Sequence, residues 1–119
     1  MSRFLIFLAF AAYCMVAFSL KPKSFSREAV LKPFSQGNAL KIISGLNNFD
    51  QTLVKNVAWS SNLGGASHID IACDPELVKI AKSVANIPVC VSSVRPADFV
   101  AAVDVSRHHD LDIVLGCVS

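Results

Sequence analysis

A chain of 119 residues has room for one domain at most, and an apolar content of 53% is enough for a packed core. The net charge of +2 is unevenly spread: residues 1–37 carry five basic side chains against Glu28 alone, and residues 38–119 carry six basic against eight acidic. The basic balance therefore belongs to the front end, and the remainder has no basic stripe for nucleic acid.

Met1-Ser2-Arg3 precedes an uncharged apolar run from Phe4 to Phe18. A positive start and a run of this kind describe a secretory signal peptide over residues 1–17. The run is short for a membrane span, which needs about 20 apolar residues; an uncleaved anchor is the alternative. Residues 18–37 are basic, serine-containing and poor in acid, which is transit-peptide chemistry. With Phe18 at the expected cut, the tandem resembles the bipartite plastid leaders of algae with secondary plastids. The resemblance implies a plastid address, with no membrane attachment after processing.

The composition changes at Asn38. Ala39 to Gly45 reads as a first strand that ends in a glycine turn. Asp50 can cap a helix with Leu53, Val54, Val57 and Ala58 inward, stopped by Gly64-Gly65. Ile69 to Cys73 is a second strand. Asp74 then caps a helix with Pro75 at its first position and Leu77, Ile80, Ala81 and Val84 on one face. Val89 to Val94 is a third strand. Pro96 opens a helix with Phe99, Val100 and Val103 inward, and Leu111 to Gly116 is a fourth strand.

Strand–helix alternation predicts the α/β class, with parallel strands and right-handed crossovers over residues 38–119. The strands are apolar, as strands covered on both faces are. Three helices can cover one face of such a sheet, and nothing in this chain is expected to cover the other. Cys14 lies in the leader, and Cys73, Cys90 and Cys117 are widely spaced. That pattern is neither a disulfide framework nor a zinc ribbon, and free thiols in a reducing compartment are the simplest reading.

Leu40 to Asp50, Ile69 to Val78 and Val89 to Val94, in that order, resemble the hypothetical chloroplast reading frame twenty-three family of plastids and cyanobacteria. The resemblance covers about residues 36–103. It implies an aldolase-type TIM barrel of unassigned biochemical role, with a regulatory function suggested for cyanobacterial relatives. On that scaffold the chain is the first half of a (β/α) barrel, ending after strand four. The expected role is regulatory or ligand-binding; the alternative is an aldolase-type enzyme acting on a small phosphorylated metabolite. Open edges on strands one and four would also let two copies pair.

In such barrels the working residues lie at the carboxyl ends of the strands. That rule selects Ser44, Gly45, Asn47, Cys73, Asp74, Ser92, Ser93 and Cys117. Ser44, Asn47, Ser92 and Ser93 are candidates for binding a small, phosphorylated ligand; the competing role is capping of helices and loops. Lys41 and Asp70 fall inside apolar strands, and if Ile42, Ile69 and Ile71 face the helices they share the interior. A charge there needs a partner. They are the candidate catalytic pair, with Lys41 available for Schiff-base or phosphate chemistry. The early position of Lys41 in its strand favours instead a structural ion pair. Asp74 would raise the Cys73 pKa, which argues against a reactive thiol. No metal site is expected. His68, His108 and His109 precede strands whose ends carry Cys73 and Cys117, about 16 Å away at ~3.3 Å per residue, beyond the reach of ligand bonds of about 2.0–2.3 Å. No glycine-rich dinucleotide loop or P-loop is present, and the sequence leaves the cofactor unknown.

Overall fold

The computed structural model describes residues 25–108 and 113–115, with side-chain surroundings over residues 25–104. The signal-peptide segment, His109 and Cys117 lie outside the described residues. The elements run α1 (Arg27–Ser35), β1 (Lys41–Ile43), α2 (Gln51–Leu63), β2 (His68–Ala72), α3 (Pro75–Val84), β3 (Val89–Ser92), α4 (Pro96–His108) and β4 (Ile113–Leu115). The four strands are parallel and lie in the order β1-β2-β3-β4. Each crossover therefore carries one helix to the same side of the sheet when it takes the usual right-handed course.

Local chemistry fixes the ends of these elements. The Asp50 carboxylate accepts the amides of Thr52 and Leu53, both at 2.9 Å, and so starts α2. Gly65, at φ +74°, supplies the left-handed residue that ends it. Asp74 accepts from Glu76 and Leu77, and Pro75 occupies the first position of α3, where its missing N–H is no loss. At α1, Ser26 Oγ accepts from Ala29 and Glu28 lies in the first turn.

Alternation sorts the strand residues onto two faces. Register pairs Ile42 with Ile69, Ile69 with Val89, and Ile71 with Val91, so these share the face under α2, α3 and α4. Ile69, Ile71, Val89 and Val91 are buried there with Val54, Ala58, Leu77, Val78, Ala81 and Ala102. Burying each large aliphatic side chain contributes about 1.5–3 kcal/mol. The opposite face carries Lys41, Ile43, His68, Asp70, Ala72, Cys90 and Ser92.

Four expectations change. The first and third strands are shorter, Lys41–Ile43 in place of Ala39 to Gly45 and Val89–Ser92 in place of Val89 to Val94. Leu53, expected inward, is exposed; the buried stripe of α2 is Val54, Ala58 and Ser61, and Leu53 lies one residue, about 100°, off it. Val100 is also exposed, because among the described side chains of α4 Ala102 is the buried one and Phe99 and Val103 flank it. Finally, the second face of the sheet is not bare. Helix α1, within the stretch read as leader, packs on its amino end with Val30 buried, Val30 O 2.9 Å from His68 Nε2 and Phe34 against the imidazole.

Candidate functional site

The most connected polar group lies on the sheet face opposite the crossover helices. Lys41 on β1 projects its Nζ to 2.7 Å from Asp70 Oδ2 on β2. Ser92 Oγ, at the end of β3, donates to the other carboxylate oxygen at 2.8 Å. One carboxylate thus ties three neighbouring strands together. Parity makes this possible, since positions 41, 70 and 92 all point to the same side. Asp70 is buried at 7% side-chain exposure, whereas Lys41 keeps 36%. The ammonium is partly hydrated and spends one of its three N–H donors on Asp70. Its hydrogen bond to Asp70 raises the Lys41 pKa, against a smaller opposing effect of burial.

Cys90 lies level with Asp70 on the same face. Burial, and then the Asp70 carboxylate, pushes its thiol up. Cys73 is pushed up to about 11, first by burial and then by Asp98 and Asp74. Both are free cysteines held as thiols at neutral pH.

The other candidate residues divide between the face and its loops. Ser44 is half-buried and its amide extends the ladder to Asp70 O. Asn48, rather than Asn47, organises this loop: its Nδ2 donates to Ser44 O and Ser44 Oγ, and its Oδ1 accepts from Asp50. Asn47 is exposed. Ser93 turns away from Asp70 and works in the β3–α4 loop, where its hydroxyl donates to Asp98 and accepts from the Arg95 amide. Asp98 is in turn clasped by Arg95 at 2.9 Å, and the Ser93 hydroxyl leads in holding its carboxyl below the usual range. Asp74 is spent on capping α3. The structure therefore joins Lys41, Asp70 and Ser92, places Ser44 at their edge, and leaves Asn47 and Ser93 apart.

Sequence reasoning missed Asn48 and the role of His68, which was weighed only as a metal ligand. The Val30 and Phe34 pair, four apart and so on one face of a helix, was the signal that something covers His68. Among the described residues no group of three or more His, Cys, Asp or Glu could hold a metal ion. A groove of about 360 Å³ lies elsewhere, at the β1 edge on the helix side, lined mainly by Leu40, Ile42, Val57 and Ala66 with Asn56 and Ser60. It is apolar and on the opposite face from Asp70, so its size does not make it the site.

The family model described as "Protein of unknown function (DUF561)" matches residues 26–109. The chain is 48% identical over 69 residues to "Uncharacterized protein ycf23" of Cyanophora paradoxa, covering 57% of this chain and 28% of that protein. It is 43% identical over 67 residues to the protein of that name from Cyanidium caldarium, covering 56% and 27%. For Porphyra purpurea the figures are 40% over 62 residues, covering 52% and 23%. The chain spans about a quarter of the length of these relatives. No solved structure matches it. The chain belongs to the DUF561 family, and the match begins at Ser26, so α1 lies inside the family region.

Proposed function

We propose that this chain supplies the first strand–helix units of a plastid (β/α) barrel that binds a small phosphorylated ligand, in a regulatory or ligand-binding role. Consecutive parallel strands with one helix per crossover support the barrel reading, as do relatives about four times as long as the matched segment. β1 and β4 are the edges of the described sheet, and further strands would pair there, from a continuing barrel or a second copy. The algal relatives and the bipartite leader support the plastid address. On this reading the leader is the segment ahead of α1, residues 1–25. Residues 1–25 fused to a fluorescent protein should reach the plastid of an alga with secondary plastids; a secreted fusion would refute the address.

The observation that carries the ligand reading is the Lys41–Asp70 contact at 2.7 Å, with Lys41 still 36% exposed. A Schiff-base lysine must be neutral to attack a carbonyl. Here the partner carboxylate favours the charged form. Lys41 is thus suited to hold an anion as a fixed cation, and unsuited to act as the nucleophile of an aldolase-type enzyme. Ser92 and Ser44 supply hydroxyls at the carboxyl ends of the neighbouring strands, where ligands bind in such barrels.

Titration of the full chain with inorganic phosphate, followed by amide and lysine Nζ resonances, tests this. Phosphate should shift Lys41 Nζ and the Ser92 amide, and Lys41→Met should abolish the response while the fold persists. An unchanged response in Lys41→Met would sink the reading. Borohydride treatment in the presence of a phosphorylated aldehyde should leave Lys41 unmodified; a reduced adduct on Lys41 would establish the enzyme reading instead.

A further inference from the structure

His68 opens β2 with its ring fully enclosed, on the face opposite the crossover helices. Its Nε2 lies 2.9 Å from the Val30 carbonyl oxygen of α1. A carbonyl only accepts, so Nε2 carries a proton, and burial favours the neutral ring with Nδ1 as a lone pair. Among the described residues that buried Nδ1 has no hydrogen-bond partner. Phe34, one turn beyond Val30, sets its ring 4.7 Å from the imidazole at an angle of 48°. Val30 is the buried residue of α1. Val30 and Phe34, one turn apart on α1, thus meet the same imidazole, while the ring of Phe25, just ahead of the helix, lies 5.1 Å from Lys82 Nζ of α3.

We infer that α1 is an acid-released clasp, docked on the sheet while His68 is neutral and freed when the ring takes a second proton. The added proton would make Nδ1 a donor with nothing to donate to, in a place closed to water. The new charge would arise level with Lys41, its register neighbour on β1, which is itself held cationic. The carboxylate two residues along β2, Asp70, is already bonded to Lys41 and Ser92. On β3, Cys90 is a neutral thiol. On α1, Arg27, Glu28 and Lys32 are exposed. Among the described residues no facing group would offset the charge, whereas an undocked imidazolium is free to hydrate.

Burial accordingly holds the His68 pKa below its ordinary value, with Lys41 adding to the effect and the Val30 bond opposing it. The depressed pKa fixes the sign. Below about pH 6.5 the undocked ring binds the proton more readily, so docking weakens as pH falls. The docking equilibrium changes by up to about tenfold per pH unit until the docked ring itself titrates. Release would uncover the amino end of the face that carries Lys41 and Asp70. The inference does not depend on what that face binds.

Hydrogen exchange of α1 in the full chain at pH 7.5 and 5.5, corrected for intrinsic rates and referred to α2, tests the clasp. Protection of α1 should fall by up to about tenfold relative to α2. His68→Phe keeps a ring against Phe34 and removes the titration, so its α1 protection should not respond to pH. An unchanged α1-to-α2 ratio in the parent chain, or the same pH response in His68→Phe, overturns the clasp. Should His68→Phe fail to fold, imidazole nitrogen resonances of the unaltered chain decide. The Nε2–H tautomer titrating below about 6.5 supports the clasp, and a ring titrating at or above that value with α1 still protected refutes it.

Discussion

The two faces of the sheet use alternate residues of the same strands and solve opposite problems. Under the helices, Ile69, Ile71, Val89 and Val91 are fully or almost fully enclosed among aliphatic side chains. Their packing needs volume and shape but no specific partner. On the other face, His68, Asp70 and Cys90 are buried too, and each polar atom there needs its own answer. Asp70 has both oxygens bonded, His68 has one nitrogen bonded and one without a partner among the described residues, and Cys90 stays protonated. The apolar face holds the fold together. The polar face is where charge and protonation are set, and its cost depends on whether partners are present.

Substitutions can separate the two faces. Ile71→Ala removes enclosed methyl and methylene groups from the apolar face and should cost about 2–5 kcal/mol, read from denaturant midpoints at constant m-value. A loss under ~1 kcal/mol would mean that this face is not the packed core. Asp70→Ala should cost less, about 1–3 kcal/mol. Removing one partner of a fully buried pair would cost about 3–5 kcal/mol, but Lys41 is 36% exposed and its ammonium can turn to water. A larger loss than from Ile71→Ala would show that Lys41 is more enclosed than this exposure implies. The smallest effect concerns Cys73, whose pKa of about 11 keeps the thiol protonated and unreactive at pH 8. Alkylation of the folded chain should be much slower than of the unfolded chain and should accelerate only as pH approaches 11. Rapid labelling at pH 8 would place Cys73 outside the enclosed layer.

Much of this comparison is legible in the sequence. Asp50, Asp74 and Pro75 mark helix starts by side-chain chemistry alone, and strand parity alone puts Lys41 and Asp70 on one face. The share of Ser92 in the same carboxylate was not legible, because it depends on the register between β2 and β3, which the apolar pattern leaves open. Leu53 and Val100 were misplaced because a helix stripe read from hydrophobicity is broader than the face that is covered. Helix α1 was hidden by its composition. A basic, serine-containing stretch reads as a transit peptide, while its cap at Ser26, Glu28 in the first turn and the Val30–Phe34 spacing are the signature of a helix that docks.

The central claim is that Asp70 and Lys41 act as one unit that fixes a cation on the polar face. A double-mutant cycle of Lys41→Met, Asp70→Leu and the combined variant, measured by chemical denaturation of the full chain near pH 7, tests it most directly. The two groups are in contact, so the cycle should return a coupling of about 0.5–3 kcal/mol, with the combined variant recovering much of the stability lost in Asp70→Leu. The Lys41 pKa is raised in the folded state, so this coupling is fully present below the unfolded value of about 10.4 and is lost only as pH rises through the folded value. Strictly additive losses near pH 7 would contradict the account.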